Sequence, residues 1–467
     1  MLQRTGRTRV ESEAQMDTSF FNDLLSVIVD RGRALIDRRE RRPSGRSLGS
    51  LAAELLSGRG EATGVALARE LLDSYDMLDS AGKTAFFRVL AEEFGADPAT
   101  LAAAARAYLD DPSDHNAIRL HEASEPRRQE LIRRLNRAPG GTAALVAMRA
   151  DLLERLRDHP SFRAVDADFA HLLASWFNRG FLVLKRIDWS TPAAILERII
   201  RYEAVHAING WEDLRRRIDP RDRRLYAFFH PALVDEPVIF VEVALTPSIP
   251  EAIGPILAEG RKPIDPQQAT TAVFYSISNC QAGLKGISFG NFLIKQVVEE
   301  LARTLPGLKT FVTLSPVPGF RAWVEAQRAD AGGIPGIDPK VLDILDSEGW
   351  WADERAERVR PELMALAARY FLLAKTSRGT PPDPVARFHL GNGARLERLD
   401  FLGDPSPKGI AESYGLMVNY LYDPRQIERN HEAYANKGEV VASPAVKRLV
   451  RSMAAATSVL VAVTAGG

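Results

Sequence analysis

Up to about residue 185 the apolar positions recur at spacings of three and four, and no stretch shows the period of two that a half-buried strand needs. Within Phe20–Ile36, Phe21, Leu24, Leu25, Ile28, Val29 and Leu35 fall mostly on one stripe. The same spacing predicts helices over Thr18–Asp37, Leu48–Leu56, Gly64–Leu72, Ala81–Phe94, Pro98–Leu109, Arg127–Leu135, Ala143–Asp158 and Asp166–Trp176. Stops fall where proline and glycine interrupt the stripe, at Asp97-Pro98, Ala138-Pro139-Gly140-Gly141 and His159-Pro160. Short helices with short connections imply a bundle, a kind of surface often used for self-association. Beyond Arg186 the pattern changes. Short β-branched and aromatic runs predict strands over Leu225–Phe229, Val238–Leu245, Thr271–Ile277 and Lys309–Leu314. Helical spacing returns over Asn291–Thr304, Pro361–Lys375 and Ala445–Leu460. The expected fold is α+β and multi-domain: an all-α helical bundle over residues 1–185, read as an oligomerisation module, and a mixed α/β domain over residues 186–467.

Composition narrows the function. The chain has 467 residues, with 61 Lys and Arg against 61 Asp and Glu. That zero balance argues against a nucleic-acid coat or a membrane-surface protein, which draw on a basic excess. No apolar run approaches 18 residues, so no membrane span is expected. Met1 to Ala14 carries Arg4, Arg7, Arg9, Glu11 and Glu13 with no apolar core behind them, so no secretory signal is expected and the chain reads as cytoplasmic. A single cysteine, Cys280, excludes an intrachain disulfide framework and a Cys-rich metal site. The eight histidines form no His-x-x-x-His pair, and no metal is expected.

The chemistry concentrates in Thr271–Phe320, which runs strand, Gly-rich turn, helix, strand. Gly283, Gly286 and Gly290 lie just before the helix, where unpaired backbone N–H groups and the positive end of the helix dipole suit a phosphate or pyrophosphate. Lys285 adds a point charge. A purely structural turn explains the same glycines, because the spacing is neither a dinucleotide fingerprint nor a P-loop. The second strand ends in Leu314-Ser315-Pro316-Val317-Pro318, which holds the Ser315 hydroxyl at a sheet terminus, either as a functional group or as a turn cap. Thr380-Pro381-Pro382-Asp383-Pro384 predicts a stiff loop into the apolar run Val385–His389, after which Gly391-Asn392-Gly393 predicts a tight turn. His389 there either looks into a cleft or bonds within the turn. Two Gly-x-Ser-x-Gly matches, at Ser47 and Ser288, raise a serine hydrolase. Ser47 has no strand before it, and roughly nine residues separate Ser288 from its strand. Ser288 is therefore read as part of the phosphate loop, with the hydrolase as an alternative.

Taken in order, Tyr202-Glu-Ala-Val-His206, Ser276-Ile-Ser278, Gly283-Leu-Lys-Gly286, Phe292-Leu-Ile-Lys295, Leu314-Ser315-Pro-Val-Pro-Gly-Phe320, His389-Leu-Gly-Asn-Gly393-Ala394 and Ser413-Tyr-Gly-Leu-Met-Val-Asn419-Tyr420 resemble the malonyl-CoA decarboxylase family. The resemblance implies a catalytic domain similar to GNAT-type N-acetyltransferases, in which two neighbouring parallel strands splay apart around the pantetheine arm of CoA. It implies malonyl-CoA as substrate, acetyl-CoA as product, no cofactor, and a homo-oligomer, dimer or tetramer. Lys285, Gly286, Ile287, Ser288, Phe289, Gly290 and Asn291 match the family's malonyl-CoA-binding loop, although relatives can carry a glutamate where this chain has Ser288. Ser315 resembles the catalytic serine, His389 the catalytic histidine, and His206 falls in a shared motif that implies a contribution to activity. An ordinary imidazole, with a pKa of about 6.5, suits proton exchange at neutral pH. An acetyltransferase on the same CoA scaffold and a CoA sensor without turnover are the other readings.

Overall fold

The computed structural model describes residues 47–450 except 59, 288, 290–292, 330–333, 335, 336 and 378. The helix expected over Thr18–Asp37 and most of that over Ala445–Leu460 lie outside them. The chain forms two compact units: one holds the residues up to Leu182 with His230–Val234 and Gln281–Ser288, the other Val183–Phe229, Asp235–Cys280 and the chain from Phe289 on.

The first unit is helical. Its helices are α1 Leu48–Leu55, α2 Glu61–Asp76, α3 Ser80–Glu92, α4 Pro98–Asp110, α5 Asp114–Ser124, α6 Arg127–Leu135, α7 Gly141–Arg155 and α8 Arg163–Trp176. Four begin at a side-chain cap: Ser47, Asp79, Asp97 and Ser113 each accept the backbone N–H three residues on. Ser47 is thus a helix cap, which disposes of the first Gly-x-Ser-x-Gly match. Leu67, Leu71, Phe87, Leu131, Leu152, Phe162, Phe169 and Leu173 form the core. A buried ion pair joins Arg128 to Asp168, whose other oxygen accepts from Gln129 at 2.7 Å. Helix α5 escaped the sequence pattern because none of its residues is buried, so it has no apolar stripe.

The second unit is built on a sheet of β1 Val183–Ile187, β2 Arg223–Phe229, β3 Pro237–Thr246, β4 Thr271–Asn279, β5 Thr310–Thr313, β6 Ser315–Pro316, β7 Arg395–Asp400 and β8 Met417–Leu421. The spatial order is β1-β2-β3-β4-β5-β8-β6, with β7 also on β8. Every pairing is antiparallel except β4 with β5. Its helices are α9 Ala193–Tyr202, α10 Trp211–Ile218, α11 Gly254–Leu257, α12 Leu293–Thr304, α13 Phe320–Ala329, α14 Pro339–Leu345, α15 Arg355–Leu372, α16 Pro384–Gly391, α17 Pro407–Ser413 and α18 Ile427–Lys437. The four expected strands are present as β2 to β5. Helix α15 runs through Pro361 rather than starting there. Among the described residues no helix is long and apolar enough to cross a membrane.

One face of the sheet carries Ala244, Val273, Tyr275, Val312 and Leu314 in a common core, and Phe240 beneath α9 and α10. Side chains alternate along a strand, so Thr313 and Ser315 look out from the other face. The parallel pairing of β4 and β5 runs from Thr271 and Thr310 to Phe274 and Thr313 and then stops, while β4 continues to Asn279. Leu314 N–H donates to the Phe274 carbonyl at 3.0 Å, the last rung. Beyond it no described strand pairs with that edge of β4. A bulge at Tyr275, the residue that breaks the β3–β4 register, twists the strand where the pair opens. Two parallel neighbours that part midway are what the family resemblance implies.

Candidate active site

Ser315 stands at that opening. Strand β5 ends at Thr313, and β8 meets it at Val312 with Leu421, then meets Ser315 with Val418. Between those contacts, side chains replace the ladder: Asn419 Nδ2 donates to the Thr313 carbonyl at 2.8 Å, and the Tyr420 amide donates to Thr313 Oγ1 at 3.1 Å. The Ser315 hydroxyl donates to the same Oγ1 at 2.9 Å and lies 3.2 Å from His389 Nε2. Serine and histidine are 74 residues apart in the chain and are brought into hydrogen-bond contact.

The loop read from the sequence runs to Asp383 and the turn falls at Asn392 and Gly393, with His389 on the run between them, for which the sequence reading named no element. Its run is helix α16: Asp383 is the N-cap, accepting the Ala386 amide at 2.8 Å, and Pro384 takes the first helical position. The Asp-Pro pair therefore closes the loop and starts the helix. After the helix Gly393 turns at φ +78°, and a Cβ there would lie 2.2 Å from the Ile427 carbonyl oxygen. The imidazole stacks on Tyr420 with centroids 4.6 Å apart, and its Nδ1 lies 2.8 Å from the Tyr422 hydroxyl. Only 3% of His389 and 5% of Ser315 is exposed. Burial pushes the imidazole pKa down to about 3. That overturns the expectation of an ordinary value near 6.5: no carboxylate is hydrogen-bonded to the ring, so nothing offsets the lost hydration, and the ring is neutral at pH 7. With Ser315 donating to Thr313, Nε2–H donates to Ser315 Oγ and Nδ1 accepts from Tyr422.

His206 belongs to a different cluster and is hydrogen-bonded to neither Ser315 nor His389. Glu203 closes the turn after α9, its Oε1 accepting the amides of Val205 and His206 at 2.8 Å each. The same carboxylate accepts the Ser276 hydroxyl at 2.8 Å and the Ser278 hydroxyl at 3.2 Å, both on the stretch of β4 beyond the opening. Lys408 donates to the Ala204 and Val205 carbonyls, and Arg217 to the Ala207 carbonyl at 3.0 Å. Glu242, between Phe240 and Ala244 on β3 and wholly buried, pairs with Arg217 at 3.5 Å. Burial, reinforced by the charge of Glu203 and opposed by Arg217, pushes Glu242 up to about 8. Burial pushes His206 down to about 4 against the pull of Glu203 and Asp404, and its Nε2 has no hydrogen-bond partner. By strand alternation Glu242 faces the side opposite Ser315.

The Gly-rich turn lies in the helical unit, and the structure gives its glycines separate reasons. Ala282–Leu284 is a single 3-10 turn. A Cβ on Gly283 would sit 1.8 Å from the Val146 carbonyl oxygen of α7, so this glycine serves close packing. Gly286 has open space around it but a φ of +80°, so it serves conformation. The amides of Leu284, Lys285 and Ile287 donate to the carbonyls of Gln281, Ala282 and Leu284. They are therefore not the free donors the sequence suggested; closing the turn consumes them. Lys285 and Gly286 are exposed, Phe289 is half-buried and Ile287 is buried. Ser288, Gly290 and Asn291 lie outside the described residues. Arg149 of α7, which nothing in the sequence singled out, donates to the Gly283 carbonyl at 2.7 Å and the Lys285 carbonyl at 3.0 Å. Cys280 is a buried member of an apolar cluster with its thiol pKa pushed up by burial, which makes it a small hydrophobe. Among the described residues no three His, Cys, Asp or Glu side chains converge as a metal site would.

Comparison with known proteins bears on this arrangement. The family described as the malonyl-CoA decarboxylase C-terminal domain matches residues 180–460, and its N-terminal domain matches residues 94–177. A crystal structure of malonyl-CoA decarboxylase from Rhodopseudomonas palustris is 59% identical and superposes with a TM-score of 0.83, covering 87% of this chain and 100% of that one. That from Agrobacterium vitis is 58% identical with a TM-score of 0.82 over the same shares. The mitochondrial malonyl-CoA decarboxylase of Anser anser anser is 36% identical over 396 residues, 77% of this chain and 78% of its own. On these matches the chain belongs to the malonyl-CoA decarboxylase family of carboxy-lyases.

Proposed function

We propose that the chain converts malonyl-CoA to acetyl-CoA and CO2, with Ser315 and His389 as the reacting pair. The observation that carries this reading is the 3.2 Å contact between Ser315 Oγ and His389 Nε2 where β4 and β5 part. In the reaction the bond from the α-carbon to the carboxyl breaks, its electron pair moves into the thioester carbonyl, and CO2 leaves. The resulting enolate takes one proton at carbon, drawn in net from water. The thioester itself accepts the electrons. The protein's task is to hold the carboxylate out of the enolate plane, to donate hydrogen bonds to the developing oxyanion, worth about 3–4 kcal/mol each in comparable sites, and to deliver the proton.

In this scheme the Ser315 hydroxyl holds the malonyl carboxylate and His389 is the proton donor. A neutral imidazole that releases its Nε2 proton while taking one at Nδ1 from Tyr422 changes tautomer rather than charge. Burial does not oppose the tautomer change of the ring, but it holds the Tyr422 hydroxyl well above its ordinary pKa, so in this scheme water returns the Tyr422 proton in the same step and no tyrosinate forms. We assign Lys285, Gly286, Ile287, Ser288, Phe289, Gly290 and Asn291 to CoA binding, with Lys285 as the charge that meets phosphate. His206 contributes from the other cluster. The chain is further proposed to act in the cytoplasm as a homo-oligomer, which sizing by light scattering tests.

Incubation with malonyl-CoA and detection of acetyl-CoA and CO2 tests the activity. The expected result is stoichiometric release of both, lost in His389→Asn. Acyl transfer to an amine without CO2 would instead support the acetyltransferase reading, and CoA binding without turnover would support a sensor.

A further inference from the structure

The turn at Gln281–Ser288 is packed as part of the helical unit, and the way it is held there is asymmetric. Gly283, Leu284 and Ile287 are turned inward and buried, while Lys285 and Gly286 are left exposed. Arg149 fastens the inward side by hydrogen bonds. Arg149, with 3% of its surface exposed, anchors its Nε on Asp166 at 2.8 Å and spends Nη1 on the carbonyls of Gly283 and Lys285. These two carbonyls flank Leu284, so the guanidinium ties the turn on both sides of that buried residue. Hydrogen bonds from a charged donor are stronger than neutral ones, and a guanidinium keeps its charge even when buried. The Lys285 side chain leaves the same residue whose carbonyl Arg149 holds.

We propose that Arg149 is a positioning residue for the substrate: from α7 it fixes the backbone of Gly283–Lys285 and so sets where the Lys285 ammonium and the Gly286 turn are presented to CoA. This rests on the proposed role of Lys285 and Gly286 in CoA binding. It gives the helical unit a role in substrate affinity that is separate from self-association.

The test uses the full chain, with CoA alone as the binding probe and malonyl-CoA as substrate. Arg149→Ala is expected to raise the Kd for CoA and the KM for malonyl-CoA on the order of tenfold, from the loss of two charge-assisted bonds, while kcat per folded enzyme stays within about threefold. Arg149→Lys, which restores the charge without the two-carbonyl reach, is expected to recover part of that affinity. A purely structural role would lower the folded fraction or the Tm and leave Kd and KM within about twofold of the unaltered chain; that result overturns the proposal. Should Arg149→Ala fail to fold, Asp166→Ala removes the acceptor for Nε while keeping the guanidinium. It is expected to move Kd and KM in the same direction by a smaller factor, and an unchanged Kd there overturns the proposal equally. If the unaltered chain does not bind CoA at all, the loop assignment itself fails. Binding that is unaffected by every Arg149 and Asp166 variant leaves the loop assignment standing and removes Arg149 from it.

Discussion

The sheet unit holds two buried polar clusters at the place where β4 and β5 part, one on each face, and they solve burial differently. Ser315 and His389 are surrounded by hydroxyls and aromatic rings: Thr313, Tyr422 and the Tyr420 ring. Glu203, Glu242, Arg217 and Asp213 on the other side are ionisable groups in contact with one another. Burial disfavours charge in both, lowering the histidine to about 3 and raising Glu242 to about 8. The first cluster has no ion to restore the charge, whereas the second keeps Arg217 and the Glu203 carboxylate to tie down a loop. The difference matters for decarboxylation. A cation beside the malonyl carboxylate would stabilise the substrate, whose negative charge leaves that group on the way to the transition state. A neutral donor pair avoids that penalty, since only interactions stronger in the transition state accelerate the step.

The largest effects should come from the neutral cluster. Ser315→Ala or His389→Asn is expected to lower kcat by roughly 10²–10⁴-fold, the range for removal of a positioned acid or base, in steady-state assays. His206→Asn, across the sheet, is expected to cost no more than about tenfold, the worth of one or two neutral hydrogen bonds. Equal losses on both faces would erase the distinction drawn here. Tyr422→Phe removes the donor to Nδ1 and is expected to lower kcat by up to about tenfold, with a smaller change in KM.

Next comes pH. Because His389 is neutral down to about 3, kcat is expected to show no ionisation near 6.5, and a limb there would contradict the buried, unpaired ring. Stability carries the opposite signature. Unfolded histidines titrate near 6.5, above the folded values of about 3 and about 4, so between pH 6.5 and 4 the unfolded chain binds more protons. Stability therefore falls as the solution is acidified through that window, and His206→Asn should flatten the fall seen in thermal melts. Glu242 has the reverse sign: its folded value of about 8 exceeds the unfolded 4.5, so its contribution is lost as pH rises between them. The smallest effect is Glu242→Gln, expected to flatten the decline in Tm between pH 4.5 and 8.

What the sequence made legible follows a physical line. Strands β2 to β5 and the loop-helix between β4 and β5 were readable because apolar runs end at glycine and proline. So was Ser315, held by Pro316 at a strand end. Helix α16 went unassigned because its apolar run is short and follows the loop Pro381-Pro382-Asp383, although Asp383-Pro384 is also a cap followed by a first-turn proline. Strands β7 and β8 went unplaced, since polar residues such as Arg395, Glu397 and Asn419 break their apolar pattern and their pairing spans the chain. Tyr422 and Arg149 carried no local signal; each matters only through a contact with a residue far along the chain, which spacing does not encode. The three glycines looked alike in sequence, yet Gly283 answers to a carbonyl of α7 and Gly286 to its own φ.

The most direct test of the account is acetyl-CoA formation by the unaltered chain and by Ser315→Ala, with CoA affinity measured on the same samples. Turnover is expected to fall at least about a hundredfold while affinity for CoA holds. Near-normal turnover in Ser315→Ala would contradict it.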